Sequence, residues 1–124
     1  MPEHSNETQI RTLVENWASA IRAQDREGMR TCHTDDIVLF DVIPPLQIQG
    51  VEAYQQQWEL FFDADPGGPG SFEPIDLHIL AGEDVAFAHT LLRVANSTAR
   101  LTLGFRKVNG TWLIAHEHHS FPWE

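Results

Sequence analysis

Two histidines and one aspartate are the side chains of this sequence best suited to moving protons. His116 and His118 stand two residues apart in the run KVNGTWLIAHEHHSFP, and Asp41 ends the run DDIVLFD. Imidazole exchanges a proton near neutral pH, so a pair on one face can orient a carbonyl or hydroxyl and return a proton to it. Asp41 is the only charged residue between Ile37 and Gln47. Burial in so apolar a strand would favour its protonated form and raise its pKa, as a base working near neutrality requires. The plainer reading is an aspartate capping a turn ahead of Pro44-Pro45.

The elements that must position these groups are legible from turn chemistry and periodicity. Asn109-Gly110 fits the central positions of a type I′ hairpin turn. With Val108 opposite Thr111, a regular ladder sets Phe105 against Ile114, Leu103 against His116 and Leu101 against His118. His116 and His118 then share the apolar face with Trp112, Ile114, Phe105, Leu103 and Leu101, and Ser120 adds a hydroxyl to that wall. The same count sends Glu117, His119, Arg100, Thr102 and Arg106 to the other face, toward solvent or a second subunit.

Upstream, Ile10, Leu13, Val14, Trp17, Ala18 and Ile21 recur at helical spacing over residues 6–24. Asp25 can cap a short second helix, and Gly50 precedes a third over residues 51–62 carrying Val51, Tyr54, Trp58 and Phe61 on one side. The segment DADPGGPGS, residues 63–71, has the composition of a mobile connection and is the lid candidate. From Glu73 onward the chain reads as strands and turns. Helices followed by strands indicate an α+β domain whose helices cover one face of a curved sheet. Trp17, Tyr54, Trp58, Phe61 and Trp112 would form either an aromatic wall for a flat ligand or ordinary core.

Composition narrows the partners. Eighteen acidic residues against eight basic give a formal net charge of −10, which disfavours nucleic acid and anionic membrane surfaces. No apolar run approaches membrane-spanning length, and MPEHSNETQ lacks the pattern of a secretory signal, so a cytoplasmic location is expected. The single cysteine, Cys32, can form no internal disulfide. An H-x-H pair can also ligate a metal, but the spacing is common and no third ligand is fixed, so neither metal nor cofactor is expected.

The order of elements, with DREGMRTCHTDDIVLFD and NGTWLIAHEHHSFP, resembles the nuclear transport factor 2-like superfamily, in its ketosteroid-isomerase-like and SnoaL-like branches. The resemblance spans residues 1–124 as one domain. It implies a cystatin-like α+β barrel, a cone-shaped antiparallel or mixed sheet wrapped around the N-terminal helices. It places the isomerase base on Asp41. The isomerase phenol would fall near Trp17, a second tyrosine near Trp58 and the protonated acid near Thr102. Those departures remove both oxyanion donors, so steroid isomerisation itself is not expected.

The resulting expectation is a cofactor-independent isomerase, cyclase or dehydratase acting on a hydrophobic ring-containing or polyketide-like small molecule. Asp41, His118 and His116 are its candidate catalytic residues. Trp17, Tyr54, Trp58, Phe61, Leu103 and Ser120 are its candidate substrate contacts. The alternative is a non-catalytic ligand-binding or association domain of the same fold. Family resemblance also implies a homodimer through the outer sheet face.

Overall fold

The computed structural model describes residues 5–123. Helix α1 (Asn6–Arg22) starts at Ser5, whose side chain accepts from the Thr8 amide, and buries Ile10, Val14, Trp17, Ala18 and Ile21. Helix α2 (Arg26–Arg30) is capped by Asp25, which accepts from the Gly28 amide at 3.0 Å. A Cβ on Gly28 would lie 2.5 Å from an Asp25 carboxylate oxygen, so a side chain there would push the capping carboxylate aside. Helix α3 (Val51–Ala64) follows Gly50, whose φ of 91° suits glycine alone.

The strands are β1 (His33–Phe40), β2 (Ile48–Gln49), β3 (Phe72–Pro74), β4 (His78–Ala81), β5 (Val85–Val94), β6 (Ser97–Val108) and β7 (Thr111–Ser120). They form one seven-stranded sheet in the order β2-β1-β7-β6-β5-β3, with β4 also on β5. The sheet is mixed, since β1 runs parallel to β7 while the other pairs are antiparallel. This is the expected α+β cystatin-like architecture, with a curved sheet that stays open. Its inner face and the three helices enclose one apolar cluster, in which Trp17, Tyr54, Phe72, Leu101, Leu103 and Ile114 are almost completely buried. No described helix is long and apolar enough to cross a membrane.

The hairpin register departs from the regular count at one residue. Val108 pairs with Thr111 and Phe105 with Ile114, as the turn requires, but Gly104 then faces His116 rather than Ala115. Ala115 is the extra residue of a β-bulge, and beyond it every side chain of β7 lies on the face opposite to that expected. Leu103 now pairs with Glu117 and Leu101 with His119, so Glu117 and His119 point into the core. His116 and His118 sit on the outer face instead, both edge-on to Phe40. Gly104 accommodates the irregularity: a Cβ on it would come within 3.3 Å of the His116 Cβ.

The glycine-rich connection after α3 is pinned rather than loose. Asp65 is buried and accepts from the Gly67 amide at 2.8 Å and the Ser71 hydroxyl at 2.6 Å. The Gly68 amide donates to the Arg22 carbonyl, and Gln24 donates to the Asp65 carbonyl. The lid expected at residues 63–71 is therefore a loop tied to the end of α1.

Candidate active site

A cavity of about 250 Å³ opens between α3 and the inner face of the sheet. Leu39, Trp58, Phe61, Phe72, Leu92 and Ala99 supply its apolar wall, and Val42, Ile43 and Phe121, each partly exposed, also line it. Polar groups are few: Asp41, Gln57, Ser97 and His119. An apolar hollow with a small number of converging polar groups is the usual form of a small-molecule site.

Asp41 follows the last residue of β1, and its carboxylate is held from two sides. One oxygen accepts from the Val42 amide at 2.7 Å, the other from Gln57 Nε2 at 2.8 Å. Gln57 is buried on α3 and donates also to the Ile43 carbonyl, so one amide ties the carboxylate and the turn after it to the helix.

His119 reaches the cavity from β7. Its ring packs against Trp58 at 5.8 Å, Phe72 at 6.3 Å and Trp17 at 6.5 Å between centroids. Nε2 lies 3.0 Å from Glu117 Oε1, and Nδ1 makes no hydrogen bond among the described residues. Glu117 is fully buried behind it. The Tyr54 hydroxyl donates to Glu117 Oε2 at 2.6 Å and accepts from Trp17 Nε1 at 3.0 Å. His33 Nε2 lies 2.5 Å from the same oxygen, and its Nδ1 is 2.6 Å from the Met29 carbonyl. Five side chains from α1, α3, β1 and β7 thus form one buried network that surfaces in the cavity at His119.

Burial by itself would push the Glu117 carboxyl up. The hydrogen bonds from His119 and His33, with the charge those rings carry when protonated, outweigh it and bring the group down to about 2 from its usual 4.5. The Tyr54 phenol is raised well above its ordinary value, by burial first and then by the adjacent Glu117 charge, so it remains a donor. Cys32, on the far side of the network, is pushed up to about 11 by burial and by the charges of Glu117 and Asp25.

Of the residues singled out from sequence, the fold brings Asp41, Trp58 and Phe61 to the cavity. Trp17 and Tyr54 are buried behind it and touch the site through hydrogen bonds, not as its lining. Leu103 belongs to the core. His116, His118 and Ser120 are displaced to the outer face by the bulge; His116 Nδ1 is 2.8 Å from the Val38 carbonyl, and Ser120 pairs with Arg100. Sequence reasoning missed His119, Glu117, Gln57 and the role of His33. Gly104, an isolated glycine inside a strand pattern, was the available sign of a bulge. Among the described residues, no three His, Cys, Asp or Glu side chains gather as a metal site.

The model of the SnoaL-like domain family matches residues 10–124. The chain belongs to that family. Among solved structures it is similar to an NTF2-like protein of unknown function from Pseudomonas putida, at 36% identity over 98% of this chain and 92% of that one, with a TM-score of 0.84. It is also similar to a cystatin-like-fold protein of unknown function from Nostoc punctiforme, at 17% identity over 98% and 96% of the two chains and a TM-score of 0.82. A third likeness is to a candidate dehydratase of the NTF2-like family from Streptomyces avermitilis, at 13% identity over 95% and 97% of the two chains and a TM-score of 0.79. No curated protein matches the chain.

Proposed function

We propose that this SnoaL-like domain is an acid–base enzyme of the isomerase, cyclase or dehydratase type, acting on a small, uncharged, ring-containing molecule. The observation that carries the reading is the meeting of Asp41 and His119 in one apolar cavity, with His119 backed by a buried carboxylate. The pairing of imidazole with a carboxylate behind it fixes the ring and stabilises the imidazolium formed when it takes a proton, as in hydrolase triads. The cavity lining includes no lysine or arginine, so a carboxylate or phosphate on the substrate would have no counter-charge there. A volume of about 250 Å³ suits a compact ring system rather than an extended chain.

In this reading one group of the pair removes a proton from the carbon next to a substrate carbonyl. The group that has taken that proton then gives it up, either to a substrate hydroxyl or to a second carbon, while the other hydrogen-bonds the substrate and holds it in register. Water leaves in the first case and a double bond moves in the second. His119, not His118 or His116, takes the histidine role, and Trp58, Phe61 and Phe72 hold the ring. The candidate dehydratase from Streptomyces avermitilis is consistent with such chemistry on this fold.

The test is hydrogen–deuterium exchange into a panel of small cyclic enones and β-hydroxyketones in deuterated buffer, read by NMR. Wild-type protein should accelerate exchange or turnover of at least one compound, and Asp41→Asn should abolish it while leaving binding in place. Compounds that bind with no exchange above buffer would replace the catalytic reading by that of a binding domain. We further propose a homodimer through the outer sheet face, where Phe87 and Leu91 stand exposed beside Arg100 and Thr102. Light scattering on wild type and on Phe87→Lys checks it, since a monomeric wild type would refute the dimer.

A further inference from the structure

The buried network also answers a question raised by the function above, on which this inference rests. A carboxylate sealed behind His119 would, with no other counter-charge, favour the protonated ring and so oppose its acting as a proton acceptor. His33 supplies the missing charge. Its Nδ1 faces the Met29 carbonyl at 2.6 Å, and a carbonyl oxygen only accepts, so Nδ1 carries a hydrogen. Its Nε2 faces Glu117 Oε2, and that oxygen already receives the one proton of Tyr54, whose hydroxyl oxygen in turn accepts from Trp17 Nε1. An ionised Glu117 accepts from Tyr54, His33 and His119 together, whereas a carboxyl proton would displace one of them.

We propose that His33 is a buried imidazolium that neutralises Glu117, and that the two act as a positioning pair holding His119 as the Nε2–H tautomer with a free lone pair on Nδ1. Neither residue touches the cavity. His33 offsets the Glu117 charge, Glu117 selects the tautomer of His119, and Nδ1 is left to serve the substrate. The groups packed on the pair from the other elements are Trp17 of α1, the Met29 carbonyl of α2, Tyr54 of α3 and the protonated thiol of Cys32, none of them a second cation.

The experiment is ring-nitrogen NMR of the full chain at pH 7. Wild type should show protons on both ring nitrogens of His33, and on Nε2 only of His119. His33→Gln keeps a side-chain donor but removes the charge, and His119 should then carry protons on both nitrogens. A merely structural role for His33 would not move that signature. A singly protonated His33 or a doubly protonated His119 in wild type would overturn the proposal, and so would a folded His33→Gln in which His119 is unchanged. If the variant does not fold, the wild-type spectrum decides. No substrate is involved, so failure of the exchange assay alone would refute the function and leave the pair standing.

Discussion

Acidification should destabilise this protein through Glu117 more than through any one of its surface carboxylates. The folded chain holds this carboxyl at about 2 against a usual 4.5, so the folded state takes up the proton less readily than the unfolded one. Stability from the pair is therefore fully present above about pH 4.5 and is lost as pH falls toward about 2. The gap of about 2.5, at about 1.4 kcal/mol for each tenfold change in proton affinity, gives about 3 kcal/mol, of which about 2 kcal/mol should be gone by pH 3. Glu117 is fully buried, so solvent does not screen this figure. Total stabilities of small domains are about 5–15 kcal/mol, so the loss is large enough to measure. Carboxyl-carbon NMR gives the Glu117 midpoint directly, and urea unfolding at pH 7, 5, 4 and 3 gives the loss. His119→Leu removes one donor, so it should raise the midpoint and shrink the acid loss. A Glu117 signal titrating at or above 4.5 in the folded protein would refute the reasoning.

Other perturbations follow from the same contacts. Cys32, buried and pushed up to about 11, should react with a disulfide reagent at pH 8 only as fast as the protein unfolds; rapid labelling of native protein would contradict its placement. Trp17→Phe removes the hydrogen bond to Tyr54 and leaves a void among Phe72, Trp58 and His33, and should cost about 1–3 kcal/mol in urea unfolding. Asp65→Ala frees the Gly67 amide and the Ser71 hydroxyl, so it should cost about 1–3 kcal/mol and open residues 66–70 to limited proteolysis, with an unchanged digestion pattern as the opposing result.

What could be read from the chain alone, and what could not, divides at the bulge. The helical period of Ile10, Val14, Trp17 and Ile21 fixes the face of α1 because helix geometry is local. Asn109-Gly110 fixes the hairpin turn for the same reason, and the pairs from Val108↔Thr111 to Phe105↔Ile114 follow. Strand parity has no such protection: one inserted residue at Ala115 inverts every later side chain. Nor did residue type correct the count, since an ionised glutamate is costly to bury and Glu117 carries no local sign of its partners. Its compensation is not local. His33 is 84 residues away and reaches Glu117 only because β1 lies parallel to β7, and Tyr54 comes from a third element. Gln57, the clamp on Asp41, is likewise supplied by α3 across the fold. The loop after α3 failed in the opposite direction: its glycines and prolines suggested motion, but Asp65 two residues before Gly67 is the arrangement in which a carboxylate accepts from the backbone and fixes a turn. The proposed chemistry of this site therefore depends on a long-range exchange of charge, His33 for Glu117, that would free His119. No pattern shorter than the whole sheet could have displayed it.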